Sequence, residues 1–314
     1  MRVVFFGTPE PAALALEALL QSPHEVAAVV TQPDRPRGRG RAVEPSPVKR
    51  AAQAAGLPVL QPETPKEEGF ARSLREHRPE ALAVVAYGHI LPVAVLEVAP
   101  ALNVHFSSLP RYRGAAPVQR ALMDGVGETG VSVFLLEPTL DTGPVVLSEK
   151  VAVGDEETAG ELLGRLAPIG ARLLISSLNL LATASVKPQP QDDAEASPAP
   201  KIKPEEARID WSLPADRIAN VVRGLNPSPG AWTSFRGKRL SVWRARASDG
   251  DASPPGVIMP RDRDRLVIAA GRGSVELIEV QPEGKRRMTA AEFARGYRPK
   301  QDEVLGAGTP ETSG

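Results

Sequence analysis

The chain has 314 residues, and its 38 Lys and Arg residues balance 38 Asp and Glu residues, so the formal net charge is zero. At about 150 residues per domain, this length predicts two domains that each bury a core. The sequence contains no cysteine, which excludes disulfides and thiolate chemistry, and no apolar run of the twenty or so residues that span a membrane, so we expect a cytoplasmic protein without a membrane partner.

The first predicted elements are a strand, a helix and a second strand. Arg2–Phe6 is an apolar run typical of a buried strand, and it is too short for a signal peptide. Pro9 suits the first turn of a helix with apolar positions through Leu19, and Val26–Thr31 predicts a second, parallel strand. Only Gly7 marks the turn after the first strand, which argues against a dinucleotide-binding Gly-x-Gly-x-x-Gly loop.

An arginine-rich segment follows the second strand. Residues 31–50 carry six Lys or Arg against Asp34 and Glu44, a net charge of 6 − 2 = +4. Four of these arginines alternate with Gly or Pro, namely Arg35, Arg37, Arg39 and Arg41. This pattern predicts a mobile loop without regular structure. Such a loop is either a solvated surface segment or a clamp for RNA phosphates.

The next predicted elements lead to a ligand site. Residues 46–55 predict a helix, residues 58–60 a short strand, residues 66–77 a second helix and residues 81–86 a continuous apolar strand. Ligands of α/β sheets lie beyond the carboxyl ends of the strands. We therefore expect the following loop, Tyr87–Pro92, to line the mouth of a binding site.

Three polar residues in the middle of the chain are candidates for chemistry. Asn103 and His105 are two residues apart on a predicted strand over residues 101–106, so their side chains project from the same face. Asp141 lies 141 − 103 = 38 residues beyond Asn103, and a parallel sheet can return it to the end of that strand.

An amide, an imidazole and a carboxylate suit acyl transfer to an amine. An Asn N–H stabilises the oxyanion of a tetrahedral intermediate, His moves protons near neutral pH, and Asp supports the imidazolium. No Ser or Cys nucleophile is needed if the amine attacks directly. The spacing of these three residues alone also fits a histidine with a structural role at a strand end.

The chain from residue 117 to residue 206 completes the first predicted domain and leaves it. Residues 117–124 predict a helix, residues 130–136 and 145–153 predict strands, and residues 156–181 predict a long amphipathic helix. Several prolines among polar residues then predict a semi-extended linker over residues 187–206, with little core to contribute.

The C-terminal part predicts a small β-barrel with a basic surface. Short strand patterns occur at residues 231–235, 238–245, 256–259, 265–269 and 274–281. A closing helix is predicted over residues 288–297. Lys and Arg minus Asp and Glu is 18 − 10 = +8 over residues 208–300, against 17 − 20 = −3 over residues 1–180. This asymmetry favours a polyanionic partner, although an Arg-rich surface bias produces the same count.

These patterns together predict the domain boundaries. We expect a catalytic domain over residues 1–186, a linker over residues 187–206, a β-barrel domain over residues 207–304 and a disordered tail over residues 305–314.

The order of the motifs resembles that of the folate-dependent formyltransferase family. The motifs are Asn103-x-His105, Ser107-Ser108-Leu109-Pro110, Arg113-Gly114-Ala115-Ala116-Pro117, Glu128-Thr129-Gly130-Val131 and Leu140-Asp141-Thr142-Gly143. The likeness covers nearly the whole chain, from Gly7-Thr8-Pro9-Glu10 to Ile209-Asp210-Trp211-Ser212. It implies an α/β fold, in which a Rossmann-like formyltransferase domain with a mostly parallel sheet precedes an oligonucleotide-binding-like β-barrel domain.

The resemblance also implies an activity and its residues. The formyl group of 10-formyltetrahydrofolate would pass to the α-amine of methionine on initiator tRNA, by direct amine attack, without a metal and in a monomer. The implied catalytic residues are Asn103, His105 and Asp141. The implied folate-binding residues are Tyr87, Gly88, Ile90, Leu91, Ser107, Ser108, Leu109, Pro110 and Leu140. The implied tRNA-binding residues are Thr8, Arg35, Arg37, Arg39, Arg41, Lys238 and Arg239.

The sequence departs from the commonest family pattern at four positions, Phe106, Ser108, Thr139 and Pro144. Three other functions are compatible with parts of the sequence: formylation of a nucleotide or sugar amine, hydrolysis of the same folate to formate, and RNA binding without catalysis. The arginine-rich segment and the basic C-terminal part favour an RNA substrate over the first two. The intact set of candidate catalytic residues argues against the third.

Overall fold

The computed structural model describes residues 1–37, 42–248, 253–259 and 265–307, without the side chains of residues 36, 37, 42 and 43. The chain divides into two compact units. The first comprises residues 1–117, 128–152 and 163–200, and the second comprises residues 118–127, 153–162 and 201–314. Two short segments from the N-terminal half of the sequence thus group with the second unit.

The first unit is built on a large sheet with helices between its strands. The strands along this part of the chain, of which β3 and β4 form a separate pair, are β1 (Arg2–Gly7), β2 (Glu25–Val30), β3 (Arg35–Arg37), β4 (Ala42–Glu44), β5 (Val59–Leu60), β6 (Ala81–Val85), β7 (Ala101–His105), β8 (Glu128–Leu135) and β9 (Val145–Ala152). The helices along this part of the chain are α1 (Glu10–Leu20), α2 (Pro47–Ala54), α3 (Phe70–Glu76), α4 (Val93–Leu96), α5 (Pro117–Asp124) and α6 (Ala159–Ala182).

The large sheet has seven strands in the order β5-β2-β1-β6-β7-β8-β9. Its first five strands are parallel, and β8 and β9 add an antiparallel edge. The chain runs outward from β1 in one direction and resumes at β6 in the other, so the strand order reverses between β1 and β6. Such a switch point is where open α/β sheets bind ligands. The prediction of a Rossmann-like, mostly parallel sheet is confirmed.

Apolar strands explain why this sheet forms where it does. Residues 3–6 of β1 and 81–83 of β6 are fully buried, as a strand covered on both faces requires. Helix α2 begins after Ser46, whose hydroxyl accepts a hydrogen bond from the backbone N–H of Lys49 at 3.0 Å.

The arginine-rich segment differs from its prediction. Residues 35–37 and 42–44 pair as the antiparallel strands β3 and β4, with Arg35 opposite Glu44. Regular structure therefore extends to both sides of residues 38–41, whereas a loop without it was predicted. Asp34 lies at the base of this hairpin and binds Lys49 and Gln61 through its two carboxylate oxygens, at 2.5 and 2.9 Å.

The direction of β8 also differs from expectation. His105 of β7 lies opposite Ser132, and Leu102 lies opposite Leu135, so β8 runs antiparallel to β7. The loop that carries Asp141 consequently starts beside the amino end of β7 and not beside its carboxyl end. Strand patterns record burial but not direction, which is why the sequence did not distinguish the two.

The predicted linker contributes more than expected to the first unit. Gln189 forms backbone hydrogen bonds in both directions with Val145, each at 2.8 Å. The N–H of Ala199 donates to the carbonyl of Arg113 at 2.6 Å, and the carbonyl of Ala199 accepts from the N–H of Ala116 at 3.1 Å. Ala199 is fully buried. This part of the predicted linker therefore packs as a structural strap on the first unit.

The second unit is an antiparallel sheet with two helices. Its elements are α7 (Ala215–Gly224), β10 (Ala231–Phe235), β11 (Lys238–Ser248), β12 (Leu266–Ala269), β13 (Ser274–Pro282), β14 (Met288–Thr289) and α8 (Ala290–Tyr297). The strand order is β10-β11-β13-β12, with β14 also paired to β13. Register shifts between Val242 and Ala245 interrupt the pairing of β11 with β13. Such irregularities bend a strand, as a curved, barrel-like sheet requires.

Several elements of this unit were missed or misplaced by the sequence. Helix α7 was not predicted, although it buries Ile218 and Val222 in the core. Residues 256–259 form only isolated bridges, at Val257 and Ile258, and no full strand. Leu305, placed in the predicted tail, is 2% exposed and packs in the core, whereas residues 308–314 lie outside the described residues.

A buried acid stabilises the same sheet. The carboxylate of Glu276 accepts hydrogen bonds from Arg246 and Arg265 at 2.8 to 2.9 Å. These bonds hold the pKa of Glu276 below its ordinary value despite the opposing effect of burial.

Among the helices described, none combines the length and the apolar composition needed to cross a membrane.

Candidate active site

His105 lies at the end of β7, and one of its ring nitrogens is engaged in a hydrogen bond. It is 6% exposed, and its Nε2 lies 2.8 Å from the carbonyl oxygen of Tyr112. A carbonyl oxygen only accepts hydrogen bonds, so Nε2 carries the proton in this contact. The neutral ring consequently presents an unprotonated Nδ1, which can accept a proton.

Asp141 faces that nitrogen. Its Oδ2 lies 3.8 Å from Nδ1 of His105 and accepts a hydrogen bond from the backbone N–H of Gly114 at 2.8 Å. The carboxylate is nearly buried, at 7% exposure for the residue. At this distance it stabilises a protonated imidazole by charge and does not hydrogen-bond to the neutral ring.

The backbone around Asp141 is tightly constrained. Asp141 itself has a φ of +54°, in the left-handed region that non-glycine residues rarely adopt. Gly114 has a φ of +132°, and a Cβ on it would overlap the carbonyl oxygen of Ala199. A Cβ on Gly143 would overlap the carbonyl oxygen of Leu135. Only glycine fits at these two positions.

Asn103, His105 and Asp141 line one cavity of about 510 Å³ in the first unit. The Asn103 side chain is half-buried, and its amide has no hydrogen-bond partner within the described parts of the chain. The cavity lies beyond the carboxyl end of β6, where the sheet order predicts a ligand. The three candidate catalytic residues are thus brought together.

Most predicted folate residues line this cavity and some do not. Tyr87, Gly88, Ile90, Leu91 and Leu140 are in its lining. The segment Ser107–Pro110 is not. It is instead fastened to β8, since Ser132 Oγ donates to the Ser107 carbonyl at 2.8 Å and accepts from the Leu109 N–H at 3.1 Å.

The cavity wall mixes apolar side chains with backbone groups. Further lining residues outside the predicted folate-binding set are Val84, Ala86, His89, Leu96, Val104, Gly114, Ala115, Pro117, Leu136 and Glu137. Ile90 and Leu140 are 59% and 54% exposed, which is unusual for large apolar side chains. Tyr87 is buried, and burial with the nearby Glu67 carboxylate raises its pKa to about 12, so its phenol stays neutral.

Two of the four residues that depart from the family pattern line this cavity, and Ser108 and Pro144 do not. Phe106 and Thr139 line the cavity. Thr139 forms a hydroxyl–hydroxyl hydrogen bond with Thr142, inside the loop that carries Asp141. Pro144 ends that loop, and its carbonyl accepts the N–H of Leu135 at 3.0 Å.

The predicted tRNA-binding residues fall into three groups. Thr8 does not line the cavity but contacts its wall, since the Thr8 hydroxyl donates to the carbonyl of the lining residue Tyr87 at 3.3 Å. Arg35 is exposed on β3. Arg39 and Arg41 lie outside the described residues, as does the side chain of Arg37. Lys238 and Arg239 begin β11 and are exposed.

Arginines stack on tryptophans in the second unit, a feature not predicted from the sequence. The Arg239 guanidinium lies 4.8 Å from the ring centre of Trp232, and that of Arg287 lies 4.0 Å from Trp243. Desolvation of the guanidinium by the surrounding protein lowers the pKa of Arg239, although its ordinary value is so high that it stays charged. Stacked cations and aromatic faces are typical of nucleic-acid contacts.

The sequence also missed the residues that hold the Asp141 loop. Gln191 of the predicted linker contacts the backbone of Asp141 and Gly143, and Arg113 contacts Gln191. Arg113 belongs to one of the family motifs, but its contact with Gln191 was not predicted. No local pattern marks Gln191, because its partners lie about fifty and eighty residues away along the chain.

Nearly the whole chain is similar in sequence to known proteins. The sequence profile described as "Formyl transferase" matches residues 1–178, and that of "Formyl transferase, C-terminal domain" matches residues 201–298. The methionyl-tRNA formyltransferase of Moorella thermoacetica is 47% identical over 310 residues, covering 98% of this chain and 99% of that protein.

Solved structures agree on the fold. Methionyl-tRNA formyltransferase from Clostridium thermocellum superposes with a TM-score of 0.57 at 20% identity, covering 80% of this chain and 95% of that one. HypX from Aquifex aeolicus, solved in complex with tetrahydrofolic acid, superposes with a TM-score of 0.64 at 17% identity, and the match covers 94% of this chain and 47% of HypX.

Proposed function

The chain belongs to the formyl transferase family, and we infer from this that it transfers the formyl group of 10-formyltetrahydrofolate to the α-amine of methionyl initiator tRNA. Relatives at about 47% identity over almost their full length carry this activity in their names. The observation that supports the chemistry is the convergence of Asn103, His105 and Asp141 on one cavity.

The cavity suits a folate. A volume of about 510 Å³ is in the range of small-molecule sites, which combine apolar walls with a few polar groups. The two exposed apolar residues at its wall, Ile90 and Leu140, would be covered by a flat ring system. The backbone at Gly88 supplies polar groups without a side chain in the way. Together with Tyr87 and Leu91, these residues would hold the formyl donor.

Asn103 supplies the oxyanion contact. Its amide lines the cavity and is unoccupied by protein partners in the described residues, so its N–H is available to the carbonyl oxygen of the formyl group. Charge develops on that oxygen when the amine attacks, and a preplaced donor stabilises it at no cost of reorganisation. The tetrahedral intermediate then collapses: the bond between the formyl carbon and N10 of the folate breaks, N10 takes up the proton that the amine has given up, and tetrahydrofolate leaves while the amine keeps the formyl group.

His105 and Asp141 handle the proton. The Nδ1 lone pair of His105 is available because Nε2 is bound to the Tyr112 carbonyl. It accepts a proton from the attacking amine, directly or through water, and the Asp141 carboxylate at 3.8 Å stabilises the imidazolium that results. The amine is the nucleophile, so the protein needs to supply position and electrostatics and no covalent intermediate.

The acceptor RNA is assigned to the basic residues. Arg35 and its neighbours in the arginine-rich hairpin, and Lys238 with Arg239 on β11, would contact phosphates. Thr8, which contacts the cavity wall, would lie near the methionyl end. These assignments rest on charge, exposure and the family resemblance.

Three further expectations remain proposals. We propose that the enzyme acts in the cytoplasm, that it is a monomer, and that the barrel-like second unit is a tRNA-binding domain distinct from the catalytic one. Cell fractionation, sedimentation analysis and expression of residues 207–304 alone test these in turn.

The test of the function is formylation by the purified protein. We expect formyl-methionine when the protein is incubated with 10-formyltetrahydrofolate and methionyl initiator tRNA. Asn103→Ala and His105→Ala should each lower kcat by about a hundredfold to a thousandfold, because each removes a contact made to the reacting group. The Kd for tRNA should stay within about twofold, since neither residue is assigned to RNA.

His77→Ala is the matched control for loss of a histidine, because His77 ends helix α3 away from the cavity lining. Normal turnover in either active-site variant would refute the role given to that residue. Formylation of a nucleotide or sugar amine, with no reaction of the charged tRNA, would refute the assigned acceptor.

A further inference from the structure

The side chain of Gln191 joins the loop of Asp141 to the turn of Gly114. Its Nε2 donates to the carbonyl oxygens of Asp141 and Gly143 at 2.9 and 2.7 Å. Its Oε1 accepts from Nε and Nη2 of Arg113 at 3.0 and 2.9 Å. One half-buried amide thus makes four hydrogen bonds, two to backbone carbonyls of the Asp141 loop and two to the Arg113 side chain.

The chemistry of these partners permits only one orientation of the amide. Carbonyl oxygens accept and guanidinium groups donate, so the nitrogen must face the loop and the oxygen must face Arg113. A carboxylate in this position would satisfy Arg113 and repel both carbonyls. An alkyl side chain would satisfy neither. A side-chain amide is therefore specifically suited to this position.

Both segments determine where the Asp141 carboxylate lies. The peptide at Asp141 is held in a left-handed conformation, which costs free energy unless surrounding contacts stabilise it. The carboxylate itself rests on the N–H of Gly114 at 2.8 Å, and Gly114 directly follows Arg113. Gln191 contacts the first segment through its nitrogen and the second through its oxygen.

We propose that Gln191 is a positioning residue for formyl transfer, which sets the Asp141 carboxylate against His105 by tying these two segments together. The proposal rests on the proposed function, because it assigns Gln191 to the same proton-transfer step. Asp193 strengthens the assembly, since its carboxylate accepts a second hydrogen bond from Nη2 of Arg113 at 2.8 Å.

The experiment compares Gln191→Ala and Gln191→Glu in the full-length protein, alone and combined with Asp141→Asn. Gln189→Ala is the matched control, because Gln189 is in the same segment and, among the residues that the structure describes, its side-chain amide hydrogen-bonds only to the carbonyl of Lys187. The values of kcat and KM are measured for methionyl initiator tRNA and for 10-formyltetrahydrofolate. Active protein is counted by titration with tetrahydrofolate, so that loss of folded protein does not count as loss of kcat.

We expect Gln191→Ala to lower kcat by about tenfold to a hundredfold, the scale on which a misplaced catalytic group affects turnover. The KM for tRNA should change by less than about twofold. Gln191→Glu should lose at least as much, although it keeps the contact to Arg113. In the Asp141→Asn background, Gln191→Ala should cost less than about threefold more, because the group it positions is already impaired.

Three results would overturn the proposal. The first is a Gln191→Ala protein with kcat within about twofold of the wild-type value. The second is an equal loss in both backgrounds, which would indicate a general structural role. The third is full activity in Gln191→Glu, which would show that Arg113 alone needs a partner. A wild-type protein that fails to formylate methionyl-tRNA would instead refute the proposed function, and this inference with it.

Discussion

The hydrogen bond from Nε2 of His105 to the Tyr112 carbonyl determines which ring nitrogen can take part in the proposed proton transfer. Because that nitrogen is bound to the Tyr112 carbonyl, the ring has only Nδ1 left for proton transfer, and Nδ1 faces Asp141. In a serine protease the carboxylate orients the ring through a hydrogen bond. Here a backbone carbonyl does so, and the carboxylate is left to balance charge.

Gly114 is the residue whose replacement should disturb this arrangement most directly. Gly114→Ala places a Cβ against the Ala199 carbonyl and strains a φ of +132°. We expect kcat to fall by about tenfold or more, because the N–H that holds Asp141 must move. Thermal unfolding should also occur at a lower temperature. Steady-state kinetics and a melting curve measure both.

Gly164→Ala is the control for this change. Gly164 is inside α6, and nothing lies within 4 Å of the position of an added Cβ. Alanine favours a helix more than glycine does, so this variant should be as stable as the wild type or slightly more so. Equal behaviour of the two variants would contradict the packing argument for Gly114.

At the scale of elements, the β3–β4 hairpin is anchored at its base. Asp34 binds Lys49 at the start of α2 and Gln61 after β5, and Gln61 also donates to the Gln32 carbonyl at 3.0 Å. Strand β3 of the hairpin carries Arg35 and Arg37, and the sequence between the two strands contains Arg39 and Arg41, which lie outside the described residues. Its base therefore determines how a set of positive charges is presented.

We expect Asp34→Asn to weaken tRNA binding by several-fold at unchanged kcat, because the loss of the anchor outweighs the added positive charge. Glu44→Gln, in β4 of the same hairpin, makes the same change of charge without touching the anchor and should leave binding unchanged or slightly tighter. Equilibrium binding of initiator tRNA measures both. Tighter binding by Asp34→Asn would show that charge, and not the anchor, dominates.

The sign of the pH dependence follows from the same contacts. Hydrogen bonds from Lys49, and then from Gln61, hold the pKa of Asp34 below its ordinary value. The carboxylate is therefore fully charged above that ordinary value, and the anchor is lost only on acidification through the lowered pKa. The difference in tRNA binding between Asp34→Asn and wild type should be constant from about pH 6 to pH 9.

Elements with a strong hydrophobic pattern were predicted well from the sequence. Strands β1, β6 and β7 and the long helix α6 were placed within a few residues, because burial on both faces of a sheet leaves an unmistakable apolar run. Helix α7 was missed since it follows a proline-rich segment. The direction of β8 depends on partners far along the chain.

The site was predictable to the same extent. Asn103, His105 and Asp141 were identified because they belong to motifs, and the cavity brings them together. The contacts that place them were not predicted. Gln191, the Tyr112 carbonyl and the Gly114 N–H act through backbone geometry that no residue pattern records.

For the whole molecule, the distribution of charge should govern tRNA binding. Residues 208–300 carry 18 − 10 = +8 and residues 1–180 carry 17 − 20 = −3, so the neutral total conceals a basic part suited to a polyanion. Replacing Lys238 and Arg239 by Ala removes two of these charges. We expect tRNA affinity near 0.1 M salt to fall by about tenfold and the slope of log K against log [salt] to become shallower by about 1 to 2.

Lys150→Ala is the control for nonspecific loss of charge. Lys150 is exposed on β9 and is paired with Glu128 at 3.0 Å. This variant should leave the salt slope unchanged, and kcat at saturating tRNA should be normal in every protein of the set. An unchanged slope in the Lys238/Arg239 variant would remove those residues from the RNA contact.

The hydrogen bonds from Gln191 to the Asp141 loop also impose an order of events during synthesis on the ribosome. A nascent chain that has emerged only as far as residue 186 already contains Asn103, His105 and Asp141, yet the amide that fastens the loop has still to be added. The sheet can bury its core at that stage while the acid group stays unsecured. We therefore expect the first unit to become catalytically competent only after its sheet has folded, when the strap with Gln191 and Ala199 has been synthesised and has packed on it.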